Sequence, residues 1–239
     1  MKNKNIYLMS DLHGHYNLFL QMLEKINFTE DDELFILGDI IDRGPKSLEL
    51  IRYIMEHRKN IHLIKGNHEA MMIDASKEGF YSILYDTTLW FHNGGFETFK
   101  QVRKLEDKEI NEIISFFDKL PLYVKIELDK TYILSHSIIW SENLGGVNEK
   151  TVLWRRPKLK ELKTASNRQE DGKTYIFGHT PIQHFYPMEN SEILRVGKYT
   201  DIDCSLAYNN KFSQLGCLNL KNMEEFYIPL IKENKEITQ

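Results

Sequence analysis

The chain has 239 residues, with 35 acidic against 31 basic side chains, a net charge of -4 and 41% hydrophobic residues. That length fits one domain, residues 1–239, with a sizeable core, and the mixed charge offers no sustained basic stripe of the kind that binding nucleic acid needs. The first apolar run stops at Ser10, too short for a signal core or a membrane span, and the two cysteines, Cys204 and Cys217, match neither a redox pair nor a zinc knuckle, so the expectation is a cytoplasmic, soluble protein with reduced thiols and no membrane or nucleic-acid partner.

Ile6 to Met9 is an apolar run bounded by polar residues and reads as a buried strand. It ends in Ser10-Asp11-Leu12-His13-Gly14. Phe19, Met22, Leu23 and Ile26 then recur at i, i+3, i+4 and i+7, an amphipathic helix. A second strand, Leu34 to Leu37, runs into Gly38-Asp39-Ile40-Ile41-Asp42-Arg43-Gly44. Pro45 opens a second helix with Leu48, Ile51 and Met55 on one face. The third strand, Ile61 to Ile64, is followed by Gly66-Asn67-His68-Glu69. Strand, helix and strand in alternation predict an α/β fold with parallel crossovers.

Residues 70–106 mix helix-like pieces with Trp90, Phe91 and Asn93-Gly94-Gly95, and read as a long connection, either a functional lid or a plain surface insertion. Ile110, Ile113, Ile114 and Phe117 predict a helix that ends before Pro121. Val124, Ile126 and Leu128 alternate with Lys125 and Glu127 as a half-exposed strand. Asp129-Lys130 turns it into Tyr132 to Leu134, which ends in Ser135-His136-Ser137. Residues 141–173 form a second long connection carrying Trp154-Arg155-Arg156-Pro157. Tyr175 to Phe177 precedes Gly178-His179-Thr180. From Ile193 onward short β-like stretches predict mixed or antiparallel sheet, and Glu233 to Gln239 reads as a frayed end.

The polar blocks thus sit where strands stop. In open sheets covered by helices, residues far apart in sequence converge on one crevice at the carboxyl ends of the strands. The block residues are those that hydrolysis of a phosphate ester requires. Two metal ions acidify a bound water and clamp the oxygens of an in-line displacement. Asp39, behind a glycine that permits close approach of the backbone, is the expected bridge between them. Asp11 and His13, two apart on an extended segment, project to one side and share one metal, while Asn67, His136 and His179 complete the other. Oxygen and imidazole donors without thiolate favour manganese, with iron and zinc next. His68, beside a ligand, is placed to protonate the leaving oxygen, and Asp42 to orient it. Arg43, with Gly44 and Pro45 behind it, offers a planar fork for two phosphate oxygens. His15, His57, His62, His92 and His184 lack such a context and read as structural or surface residues.

These blocks resemble those of the calcineurin-like metallophosphoesterases, and within them the phosphoprotein phosphatase branch, whose pattern is GDxHG, GDxxDRG, GNHE, a later histidine and GHT. The resemblance runs from about Ile6 to about Cys217, and the size is similar to that of the compact bacterial and phage (lambda-type) serine/threonine phosphatases. It implies a four-layer α/β/β/α sandwich with two mixed sheets and the same roles for Asp11, His13, Asp39, Asn67, His136, His179, His68, Asp42 and Arg43. It also implies a second phosphate-binding arginine from a Trp-x-Arg sequence, which fits Arg156, with Arg155 the alternative. The chain departs from the pattern in three places: Ser10 stands for the leading glycine, Ser137 follows the later histidine, and Ile202-Asp203-Cys204-Ser205 stands where relatives read Ile-Asp-Thr-Gly. The implied activity is metal-dependent phosphomonoester hydrolysis, water attacking phosphorus directly, on phosphoserine or phosphothreonine in proteins. The alternative is symmetric hydrolysis of a dinucleoside tetraphosphate (Ap4A), a small phosphorylated substrate. Retention of every ligand and of the acid argues against an inactive binding scaffold.

Overall fold

The computed structural model describes residues 4–80, 85–140, 146–166, 172–187, 189 and 191–230. The stretch expected to fray, Glu233 to Gln239, and the parts of the second long connection at 141–145 and 167–171 lie outside the described residues. Among those described, the strands in chain order are β1 (Ile6–Met9), β2 (Glu33–Ile36), β3 (Ile61–Leu63), β4 (Tyr123–Glu127), β5 (Thr131–Ser135), β6 (Lys173–Phe177), β7 (Leu194–Val196), β8 (Tyr199–Asp201), β9 (Gln214–Asn219) and β10 (Glu225–Pro229). They form two five-stranded sheets of order β10-β9-β1-β2-β3 and β4-β5-β6-β8-β7. Both are mixed. β1, β2 and β3 run parallel while β9 and β10 add antiparallel, and β5, β6 and β8 run parallel between antiparallel edges.

The helices are α1 (Tyr16–Lys25), α2 (Ser47–Glu56), α3 (Asn67–Glu78), α4 (Tyr85–Trp90), α5 (Phe96–Val102), α6 (Asp107–Asp118), α7 (Glu149–Trp154) and α8 (Leu159–Ser166), with a π-turn at Phe91–Gly95 between α4 and α5. The alternation of side chains along each strand sorts them into layers. Tyr7 and Met9 of β1 face Phe19 and Met22 of α1, Ile51 of α2 and Phe117 of α6. Leu8, between them, faces the other way and packs with Leu134 of β5 and Ile176 of β6 in the core between the sheets. Ile133, Tyr175 and Tyr199 on the far side of the second sheet cover Val152, Leu153 and Leu162 of α7 and α8. Three cores make four layers, as expected. None of the described helices is long and apolar enough to cross a membrane.

Two expectations need correction. The buried face of α2 is Ser47, Leu50, Ile51 and Ile54, with Leu48 and Met55 only partly covered; Pro45 lies in the turn before the helix, which shifts the buried stripe. Residues 70–106 are no loop, because α3, α4, the π-turn and α5 fill most of the segment. Gly94, at φ 99°, is where α4 and α5 meet at a kink instead of a turn that ends helical structure. Phe80 and Phe91 pack against Trp90, which is fully buried, and Phe99 packs against both of them.

Candidate active site

The loops after β1, β2 and β3 meet those after β5 and β6. Gly178 N–H donates to the His136 carbonyl at 2.8 Å, and His179 N–H donates to Asp11 Oδ2 at 3.0 Å, joining the two sheets at this edge. Asp11, His13, Asp39, Asp42, Arg43 and His179 all have positive φ, a conformation costing roughly 1–2 kcal/mol for a residue with a Cβ and typical of functional loops. The convergence of Asp11 and His13 therefore does not come from an extended segment: φ is 53° and 42°, and the left-handed turn still brings His13 Nε2 to 3.9 Å from Asp11 Oδ1. Gly38 is needed for closeness, since a Cβ there would sit 2.7 Å from both Gly66 Cα and His136 Nδ1.

Four buried histidines surround Asp39. His13 donates from Nδ1 to the Ile41 carbonyl (3.0 Å) and His136 from Nδ1 to the Leu37 carbonyl (2.7 Å). His179 lies near enough to the Trp154 backbone for it to raise the ring's pKa and keeps Nδ1 3.1 Å from His136 Nε2. His68 places Nδ1 2.6 Å from Asp42 Oδ2. His13, His68 and His136 thus each spend one nitrogen on an acceptor behind the ring and turn the other inward, the arrangement that fixes the tautomer of metal-ligating histidines. His13 and His136 are backed by a main-chain carbonyl, and His68 alone by a carboxylate. Burial lowers the pKa of all four, with the Arg43 charge adding to this at His13 and the His136 and Arg156 charges at His179. Asp42 opposes the shift at His68.

The donor set fits two cations. His13, Asp39 and His68 bring one donor atom each to within 4.8 Å of one another, and Asp39, His136 and His179 do the same, so Asp39 is common to both groups. Asn67 Oδ1 lies 2.8 Å from His136 Nε2, inside the second group. Burial, with the charges of Asp11 and Glu69, raises the Asp39 pKa well above the carboxylate range. Asp11, Asp42, Asp201 and Asp203 are buried here as well, Asp201 and Asp203 each close enough to feel the Asp11 charge. Carboxyls so concentrated and buried ionise together only beside compensating positive charge, and the arginines at hand, Arg43 and Arg156, are exposed.

Those two arginines stand at the rim. Arg43 Nη1 donates to His13 Nε2 at 2.6 Å, and the residue is held from the α4–α5 side, its N–H donating to the Gly94 carbonyl at 3.2 Å, and not only by Gly44 and Pro45. Of the adjacent pair on the second sheet's side, the Arg155 guanidinium lies over the Trp140 ring at 5.4 Å, while the Arg156 charge is felt by His136, His179 and Asp203. The Trp154 ring stands edge-on to His179, with centroids 6.4 Å apart. Ser137, the unexpected residue after His136, donates its hydroxyl to the Arg155 carbonyl and so ties this arginine segment to the site. Ser10 similarly hydrogen-bonds Asp11 Oδ2. In the Asp203-Cys204-Ser205 stretch, Ser205 takes the left-handed conformation at φ 67° that a glycine would adopt more easily.

Residues that the sequence reading left without a role complete the site. Glu69 Oε2 accepts the N–H groups of Asp39 (2.9 Å) and Gly66 (2.8 Å), and Oε1 that of Ile40 (2.9 Å). Burial pushes its carboxyl up to about 7 against the pull of these donors. A Glu at the third position of a helix whose N-cap is Gly66 is the detectable signal, half of a capping box. Trp90 and Thr98 both bond Asp42.

A two-sheet sandwich with a buried carboxylate–imidazole cluster at the strand ends defines a metal-dependent hydrolase. Residues 4–212 match the model of the calcineurin-like phosphoesterase family, and the chain belongs to it: it is a metallophosphoesterase. Serine/threonine-protein phosphatase 2 of Salmonella typhimurium is 29% identical over 202 residues, covering 82% of this chain and 88% of that protein. A symmetrical bis(5'-nucleosyl)-tetraphosphatase of Buchnera aphidicola is 30% identical over 135 residues, 55% of this chain and 42% of the relative. The crystal structure of a candidate diadenosine tetraphosphatase superposes with a TM-score of 0.70 over 97% of this chain and 96% of its own, at 15% identity, a likeness of fold.

Proposed function

We propose that this chain, working as one domain in the cytoplasm, is a metal-dependent phosphomonoesterase that removes phosphate from phosphoserine or phosphothreonine in proteins. Asp11, His13 and Asp39 would hold one divalent cation, and Asp39, Asn67, His136 and His179 the second. Manganese is the first choice for a site of oxygen and imidazole donors. When bound, such a pair supplies an acidified water and neutralises charge on the phosphoryl group. Arg43 and Arg156 grip the phosphate from the rim. His68 gives the proton on Nε2 to the ester oxygen as the P–O bond breaks, while Asp42 keeps Nδ1–H in place.

The observation carrying this division of labour is the backing of the histidines. His13 and His136 hand their spare nitrogen to main-chain carbonyls, as neutral ligands do, whereas His68 has the carboxylate of Asp42, which stabilises the protonated ring. His68 Nε2 also lies 3.8 Å from Asp39 Oδ2, within the cluster it would serve. The protein substrate is favoured over the dinucleotide by the extent of the similarity, 82% of the chain for the protein phosphatase and 55% for the tetraphosphatase. The test is a comparison of kcat/KM for a phosphoserine peptide and for diadenosine tetraphosphate with manganese present. Faster turnover of the peptide is expected, and preference for the dinucleotide would reassign the substrate.

A further inference from the structure

Asp42 is fully buried, and both of its oxygens are taken. Oδ2 accepts from Trp90 Nε1–H at 2.9 Å as well as meeting His68 Nδ1 at 2.6 Å, and Oδ1 accepts from the Thr98 hydroxyl at 2.6 Å. Thr98 Oγ1 in turn accepts the Asp42 N–H at 2.9 Å, so side chain and main chain of Asp42 are fixed by one hydroxyl. Trp90 and Thr98 are themselves fully buried. They lie on α4 and α5, eight residues apart. In an unbroken α-helix, positions eight apart are rotated by about 80° around the axis. The π-turn between them and Gly94 at φ 99° let both reach one carboxylate, and π-turns of this kind recur at functional sites. The segment's fit is close: a Cβ on Gly95 would sit 2.4 Å from the Trp90 indole, and one on Gly94 would sit 2.7 Å from Arg43 Cγ.

A carboxylate without such partners has two oxygens and several lone pairs with which to meet an imidazole. Here Trp90 and Thr98 leave one of them to His68, in one direction. We infer that Trp90 and Thr98 are positioning residues for proton delivery, holding Asp42 so that His68 keeps Nδ1–H behind and Nε2–H toward the leaving group. This rests on the proposed acid role of His68. In the step itself the P–O electron pair moves onto the leaving oxygen, which takes the Nε2 proton. His68 is left neutral with Nδ1–H still bonded to Asp42, and phosphorus keeps the oxygen that arrived from water. The helical segment 85–102 is then part of the catalytic machinery, and not a lid or an insertion.

Leaving-group dependence tests this. A phenyl ester needs the proton far more than a p-nitrophenyl ester, whose leaving group is stable as an anion. In the manganese-loaded enzyme, Trp90→Phe and Thr98→Val should lower kcat for phenyl phosphate by about 10- to 100-fold, below the full contribution of a general acid because they act through it. The fall for p-nitrophenyl phosphate should be about tenfold smaller, with KM for both moving little. Thr98→Ser, which keeps the hydroxyl, should stay within about threefold of the parent on both esters by the same reasoning. The ratio of the two rates within one preparation does not depend on how much of it is folded. Equal losses on both esters in Trp90→Phe and Thr98→Val, or a Thr98→Ser enzyme as impaired as Thr98→Val, would overturn the inference. His68→Asn separates the layers of the argument: selective loss there beside unselective loss in the other two removes only the positioning role, whereas unselective loss in His68→Asn removes the acid role as well.

Discussion

On the first sheet, the loops after β1 and β2 carry Asp11, His13, Asp39, Asp42 and Arg43, each with positive φ, whereas the second sheet contributes His136 without it and His179 with it. The first side stores strain and surrounds it with fixed partners: Glu69 takes three loop N–H groups, and Trp90 and Thr98 take Asp42. On the second side, Trp154 is 38% exposed, Arg156 is exposed, and the hydroxyl and N–H of Ser137 link their segment to the site. Strained residues persist only where the surroundings over-determine them. The contrast therefore separates a rigid side, on which the reacting groups are set, from a more open side against which a substrate is laid.

Substitutions on the rigid side should show the largest effects. Asp39 belongs to both candidate metal groups, and a neutral amide bridges two cations poorly, so Asp39→Asn should lower metal content from about two ions per chain to fewer than one and bring hydrolysis of an aryl phosphate to background. Metal analysis after gel filtration checks this; full occupancy in the variant would remove Asp39 from the bridge. Glu69→Ala leaves three buried N–H groups without an acceptor, at roughly 1–3 kcal/mol each, on the order of 5 kcal/mol in total. For a chain of this size that corresponds to a fall in Tm of on the order of 10–20 °C. The counterpart on the open side is Asn148, whose side chain caps α7 by accepting the Thr151 N–H at 3.2 Å. Asn148→Ala should cost only about 1 kcal/mol. Equal melting shifts for the two variants would erase the distinction between the sides.

What could be read from the sequence follows the same division. Asp11, His13, Asp39, Asn67, His68, His136 and His179 were legible because each stands just past an apolar run, and the end of a strand fixes where the chain delivers its next side chains. The geometry was less legible than the residues, since Asp11 and His13 converge through left-handed turns and not along an extended segment. Trp90 and Thr98 were not legible: their partner Asp42 lies 48 and 56 residues away, and the Asn-Gly-Gly between them reads as a loop although it joins two helices. Glu69 was visible in its block, but its acceptor role depends on a loop 30 residues earlier. The choice between Arg155 and Arg156 was beyond the sequence, because neighbouring side chains leave a helix end in different directions; Arg155 lies over Trp140 while the Arg156 charge reaches His136 and His179.

That separation predicts a smaller, binding-type effect. Arg156→Ala should raise KM for a phosphopeptide roughly tenfold, the value of one charge-assisted hydrogen bond at an exposed position. Arg155→Ala should change it by less than about twofold, as expected of a surface cation–π contact. The reverse order would make Arg155 the phosphate ligand.

A smaller effect than that of Arg156→Ala falls on Ser137, the residue after His136. Its hydroxyl donates to the Arg155 carbonyl, and its N–H donates to the Val152 carbonyl at 3.0 Å, so it anchors the end of α7 where the chain turns toward Arg156. Ser137→Ala keeps the main-chain bond and loses the hydroxyl one, worth about 0.5–1.5 kcal/mol. Only part of that reaches Arg156, so KM should rise about threefold while kcat is unchanged, with Tm lower by about 2–4 °C. The direction of the kinetic change is the informative part. A serine that merely filled space beside His136 would, when shortened, loosen the candidate metal cluster and lower kcat at constant KM. A rise in KM alone identifies the serine as an anchor of the substrate-facing segment within the open side.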